Sequence, residues 1–153
     1  MSVAFRRESD EEHLEPRFEL PIPPGPNLVT ARGLRLLEAK VAELEVALPT
    51  LSEDDQRKAH LRDLRYWRTR LATAELTEPR ADGMVGFGSK VEMLLGGKPR
   101  KIDIVGHDEA DPASGRIAFT APLARALIGA EVGDQLDFGG KDAAIEVVAI
   151  SLD

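Results

Sequence analysis

The side chains of this sequence best suited to chemistry are oxygen donors. Glu53, Asp54 and Asp55 are consecutive, and carboxylates of this kind are the ligands a hard cation such as magnesium takes, at metal–oxygen distances of about 2.1 Å. Acids at the start of a helix also complement its dipole and cap its free amides, so a solvated helix tip is the competing reading. A second acidic run, Asp108, Glu109 and Asp111, has the look of paired catalytic carboxylates. Gly106 and Pro112 flank it and no base or nucleophile accompanies it, which favours a turn between strands. His60 and His107 are too isolated to form a metal site, and the absence of cysteine excludes both a disulfide framework and a thiolate centre. No intrinsic catalytic site is expected. The one concentrated positive charge lies between residues 57 and 70, where Arg57, Lys58, Arg62, Arg65, Arg68 and Arg70 stand against Asp63. That stripe either faces RNA or an acidic surface, or pairs with Glu38, Glu43 and Glu45.

Two helices must carry these groups. Leu34, Leu37, Val41, Leu44 and Leu48 recur at spacings of 3, 4, 3 and 4, the seam of a coiled coil, with Thr30 in place as its N-cap. Pro49 ends that helix, and Ser52 followed by three acids offers a second cap, which predicts a new helix from about residue 53. On it, His60, Leu64, Trp67, Leu71 and Ala74 form the answering stripe, widened by Leu61. The short connection predicts an antiparallel hairpin, about 30 Å long for helices of about 20 residues. A pair this short is marginal alone, so Trp67 or the hairpin base is expected to lean on the rest of the chain.

The periodicity divides the chain into four parts. Residues 1–28 combine a charge run with Pro21, Pro23, Pro24 and Pro26 and read as a flexible arm. Residues 29–76 are the hairpin, and residues 77–83 (TEPRADG) are a linker. Residues 84–153 alternate as strands, expected over 85–95, 100–105, 115–120, 135–138 and 144–152, with hairpin turns at Gly96-Gly97 and Gly139-Gly140. Between the third and fourth strands, residues 122–128 form a short helix opened by Pro122 and closed by Gly129. The fold class is α+β.

Composition narrows the function. With 27 acidic against 20 basic residues and a net charge of −7, the chain is a poor candidate for coating duplex nucleic acid, and no specific duplex DNA readout is expected. No uncharged apolar run approaches the roughly 20 residues that span a bilayer. The start (MSVAFRRESDEEHLE) has no apolar stretch after its arginines, so a soluble, unprocessed, cytoplasmic protein is expected.

Residues 104–111 (IVGHDEAD) and 120–129 (TAPLARALIG), followed by Gly133-Asp134, resemble the C-terminal domain of the GreA/GreB transcript cleavage factors. Thr30-Ala31-Arg32-Gly33 and the leucine repeat behind it are similar to the start of that family's coiled coil, so the likeness covers residues 27–152 in order. The resemblance implies an FKBP-like domain that docks at the rim of the secondary channel of bacterial RNA polymerase, with the coiled coil pointing down the channel. On that reading polymerase is contacted by Asp108 and Glu109 and by Pro122, Leu123, Ala124, Leu127 and Ile128, which are core or docking surface, a short amphipathic helix with one face buried and the other offered to the partner. Arg57, Lys58, Arg62 and Arg65 face the channel or the nascent RNA 3′ end.

In cleavage-competent members the tip acids help hold a catalytic magnesium ion beside the polymerase's own carboxylates. The counterpart here is an ion shared through Asp54 and Asp55, and no cofactor is bound by the chain alone. Neither the family's tip string, roughly Gly-Asp-Leu-x-Glu-Asn-Ala-Glu-Tyr, nor its longer hairpin is present. The short hairpin resembles the Rnk-type branch, which binds polymerase without stimulating cleavage, while Ser2-Val3-Ala4-Phe5 and the proline-rich arm are closer to GreB-type relatives. The expectation is an accessory regulator of elongation rather than an enzyme, with an active cleavage factor as the alternative. A prolyl isomerase follows from fold analogy alone, and the low aromatic count speaks against it, since only Phe87, Phe119 and Phe138 remain to line a proline pocket.

Overall fold

The computed structural model describes residues 19–152. The charge run of the expected arm and the residues with a GreB-like start lie outside them. In chain order the elements are β1 (Leu28–Val29), α1 (Ala31–Ala47), a 3-10 turn (Leu48–Thr50), α2 (Asp54–Thr73), β2 (Glu75–Leu76), β3 (Lys90–Leu95), β4 (Lys98–Val105), a second 3-10 turn (Pro112–Ser114), β5 (Arg116–Ala118), α3 (Pro122–Leu127), β6 (Gln135–Phe138) and β7 (Lys141–Ser151). The class is α+β, with a mixed sheet. The chain divides into two compact units: residues 37–73 with 19–25 form one, and residues 26–36 with the chain from Ala74 onward form the other.

In the first unit the leucine spacing has its expected result, because Leu37, Val41, Leu44 and Leu64 are all buried. Leu48, Trp67 and Leu71 pack around the cluster of Val41, Leu44 and Leu64. Polar links add to this packing. Arg57 Nη1 donates to the carbonyls of Leu48 and Leu51 at 3.3 and 3.1 Å, His60 Nε2 lies 2.7 Å from the Leu44 carbonyl, and Arg68 Nη2 donates to Glu45 at 2.9 Å. Farther from the connection the Lys40 ammonium lies 5.8 Å from the Trp67 ring centre. The expected Ser52 cap is displaced by one residue: the Glu53 carbonyl accepts the first helical bond, from the Arg57 amide at 3.0 Å, and Ser52 is exposed.

In the second unit five strands lie in the order β5-β4-β3-β7-β6. All pairs are antiparallel except β4 with β5. Alternation along β3 and β4 turns Val91, Met93, Ile102 and Ile104 to one face, where they meet Ile145 and Val147 of β7 and Ala124 and Leu127 of α3. Proline at the start of α3 and Gly129 just beyond it, at φ +94°, bound that helix as expected.

The strand expected from residue 85 begins only at Lys90. Gly88, at φ +86°, turns the chain, the Gly86 amide donates to Ser89 Oγ at 2.9 Å, and Val85 bonds instead with Gly129 and Ala130. Two strands were not expected at all: β1 and β2 pair in parallel, Leu28 beside Glu75 and Val29 beside Leu76. The expected linker folds back on itself. Arg80 bonds Asp82 and covers Gly86, where a Cβ would come within 2.3 Å of Arg80 Cδ. No helix among the described residues is long and apolar enough to cross a membrane.

Candidate functional site

A closely bonded polar site surrounds the start of α1. Thr30 caps the helix: its carbonyl accepts from the Leu34 amide at 2.9 Å and its hydroxyl from the Gly33 amide, also at 2.9 Å. The same hydroxyl donates to Glu109 Oε1 at 2.6 Å, while Arg32 Nη1 donates to Glu109 Oε2 at 3.1 Å. Glu109 is therefore buried, with only 5% of its side chain exposed. A solvent-facing carboxylate in a turn, or one meeting a partner protein, was the expectation; the structure corrects both, because both oxygens are engaged within the fold. Sequence reasoning missed this partnership, since an acidic run signals solvent and Thr30 lies 79 positions away.

Two glycines make the approach possible. A Cβ on Gly33 would stand 2.9 Å from Glu109 Oε1, and one on Gly106 would stand 2.3 Å from the Leu28 carbonyl oxygen. Beside them Thr30, Arg32, Lys90, Asp103, Glu109 and Arg116 line a cleft of about 370 Å³. Two of its cations are paired inside it, Lys90 donating to Asp103 at 2.9 Å and Arg32 to Glu109, and Arg116 lies 3.6 Å from Asp111.

At the helix connection Glu53, Asp54 and Asp55 are exposed. Among the described residues no group of three or more His, Asp or Glu side chains converges on a metal-sized site. The basic residues divide. Arg57 braces the connection through its two carbonyl acceptors, Lys58 is exposed, Arg62 lies 3.7 Å from Asp63, and Arg65 pairs with Glu19. Arg70, expected on the same solvated stripe, is 1% exposed. The stripe is thus partly spent on internal links, one of them the expected pairing of Arg68 with Glu45.

The α3 region divides by burial. Ala124 and Leu127 are fully buried and belong to the sheet core, which removes them as contacts for a partner. Pro122, Arg125 and Ile128 are exposed, Leu123 is half-buried, and Val132, not anticipated, is exposed at 58%. Asp108 is partly exposed. Phe119 and Phe138 pack against the same core, and Phe119 meets Phe87 and His107 edge-on at 5.5 Å. Among the described residues, Asp82 is the carboxylate whose acidity its neighbours change. Hydrogen bonds from Arg80, and then from the Met84 amide, hold its carboxyl below the usual range, on the open surface.

Residues 80–152 match the family model described as Transcription elongation factor, GreA/GreB, C-term. A transcription elongation factor GreA of Ralstonia nicotianae is 45% identical over 71 residues, 43% of this chain and 45% of that protein. The chain thus spans less than half the length of this relative. A transcription elongation factor GreA of Rhizobium leguminosarum bv. viciae is 35% identical over 114 residues, 72% of this chain and 70% of that protein. Among solved structures, a GreA/GreB elongation factor from Nitrosomonas europaea aligns with 84% of this chain and 99% of its own at a TM-score of 0.40 and 21% identity. GreA factor homolog 1 of Thermus thermophilus aligns with 83% of this chain and 99% of its own at 0.38 and 21%.

Proposed function

The chain belongs to the GreA/GreB family of transcription elongation factors, and from that premise we propose that it binds bacterial RNA polymerase and regulates elongation as an accessory factor. One observation carries the reading. The 35% identity extends over 72% of the chain, more than the half that follows Leu76 can supply, so the likeness takes in the helices as well as the sheet domain. A purely domain-level resemblance would stop at the linker.

On this proposal α1 and α2 form an antiparallel coiled-coil hairpin that enters the secondary channel, and the FKBP-like sheet domain grips the rim in the cytoplasm. At 1.5 Å per residue, the 20 residues of α2 reach about 30 Å. The exposed residues at α3, Pro122 and Ile128 with Val132 beyond them, provide an apolar contact of the kind that docks. Lys58 and those basic residues of α2 that still face solvent meet acidic walls or the RNA 3′ end.

A second reading has an observation in its favour. Among the described residues none of Glu53, Asp54 and Asp55 is tied up in an ion pair, and the nearby Arg57 is drawn onto backbone carbonyls instead. Asp54 and Asp55 fit a magnesium ion as partial ligands only, with the remaining oxygens supplied by polymerase; such an ion activates water for attack on RNA.

A transcript-cleavage assay on stalled elongation complexes separates the two readings. Regulation without cleavage expects the protein to co-migrate with polymerase and to leave cleavage equal with and without it. Stimulated cleavage that Asp54→Ala with Asp55→Ala abolishes, while binding persists, establishes the second reading. A chain that ignores purified polymerase overturns both.

A further inference from the structure

We infer that Glu109 is a positioning residue: its carboxylate anchors the first turn of α1 in the sheet domain, and the helices act on their partner only while that anchor holds. The second half rests on the polymerase reading above.

Start with the helix. The first turn of α1 contains no acidic residue, so the helix brings no negative charge of its own to the positive end of its dipole. Glu109, 79 residues further along, supplies that charge across the fold. A carboxylate this deeply buried is tolerated only when its oxygens are satisfied. Here one oxygen takes the Thr30 hydroxyl at 2.6 Å and the other takes Arg32 at 3.1 Å. Because Arg32 is half exposed, water screens the ion pair, and the shorter, part-buried Thr30 bond carries most of the hold.

The surroundings serve the same contact. Gly33 leaves room for Oε1 where a methyl group would crowd it at 2.9 Å, and Gly106 lets the Leu28 carbonyl come close beside the cap. Residues 106–109 thus form a socket for one helix start. Neither Glu109 nor Thr30 is part of the sheet core or of the Val41, Leu44 and Leu64 cluster, so the socket can be emptied without opening either. Yet α1 runs unbroken from this socket into the helical unit, where Leu37, Val41 and Leu44 are buried. Its position makes the contact an anchor.

The test uses full-length Glu109→Ala, Thr30→Val and Thr30→Ser, each read two ways. Hydrogen exchange should quicken about tenfold at the amides of Gly33 to Leu36 in Glu109→Ala and Thr30→Val, as expected for loss of a hydrogen bond to a charged group. Exchange in β3, β4 and β7 should not change, and Thr30→Ser, which keeps the hydroxyl, should behave as wild type. Against polymerase, Glu109→Ala should bind within about twofold of wild type but lose most of its maximal effect on elongation at saturation.

Unchanged exchange at residues 33–36 overturns the anchor. Affinity and effect falling in parallel, or protection lost across the sheet, overturns the positioning role in favour of a docking or folding role. A wild type that fails to bind polymerase overturns the functional reading itself, and the exchange measurement then decides on the anchor alone.

Discussion

Beneath the sheet eleven buried residues meet in one cluster, whereas the cluster buried in the helical unit comprises Val41, Leu44 and Leu64 among the described residues. The helical unit also buries Leu37, and Leu48, Trp67 and Leu71 pack around its cluster, a narrow seam for the 17 and 20 residues of α1 and α2. Arg57, His60 and Arg68 supplement it by tying one helix to the other or to the connection. One region is therefore a platform that holds its shape by burial. The other is held by a narrower seam and by polar links.

Truncation tests this contrast most severely in the platform. Ile104 of β4 is fully buried beside Ile117 of β5, so Ile104→Ala should cost about 4 kcal/mol in urea denaturation and unfold the sheet domain as a whole. A loss near 1 kcal/mol would mean that the cluster is looser than its burial suggests. Leu64→Ala should cost about 3 kcal/mol, confined to the helices. Its signature is loss of far-ultraviolet helical ellipticity while amides in β3, β4 and β7 stay protected; simultaneous loss of both signals would break the contrast. Gly106→Ala should cost about 2 kcal/mol, because the new methyl group meets the Leu28 carbonyl. It should expose the amides of Glu75 and Thr77, which bond to Asn27 and Val29, and so map where the platform ends.

What could be read from the sequence follows from how local each signal is. The heptad spacing from Leu34 to Leu48 is a property of one helix, and it located the buried face of α1. Pro122 and Gly129 bracketed α3 for the same reason. The false start at residue 85 shows the limit of alternation: Val85, Phe87 and Ser89 keep the period of a strand, but Gly88 in the left-handed region breaks it. Strands of two residues, such as β1 and β2, are too short to have a period at all.

The candidate site was harder to read. The helix α3 was expected to turn one face to the core and one to a partner, and its six residues do not reveal which is which; Ala124 and Leu127 take the core. Arg57, among the cations expected to face a partner, instead closes the helix connection, because carbonyls past the end of α1 still have room for a donor. Glu109 was the largest miss, since a buried carboxylate is defined by partners that only the fold brings together.

The parallel pair of β1 and β2 has a consequence for how the molecule could vary. The backbone departs for the helices just after Val29 and returns at Glu75, and at that crossing the two passes are bonded side by side, Glu75 to Asn27 and Thr77 to Val29. Everything between behaves as a cassette held at this crossing and, at the start of α1, by the bonds of Thr30 and Arg32 to Glu109. Matched heptads added to both helices would lengthen the cassette without altering the crossing, so the reach of the helices is a dimension the sheet does not set.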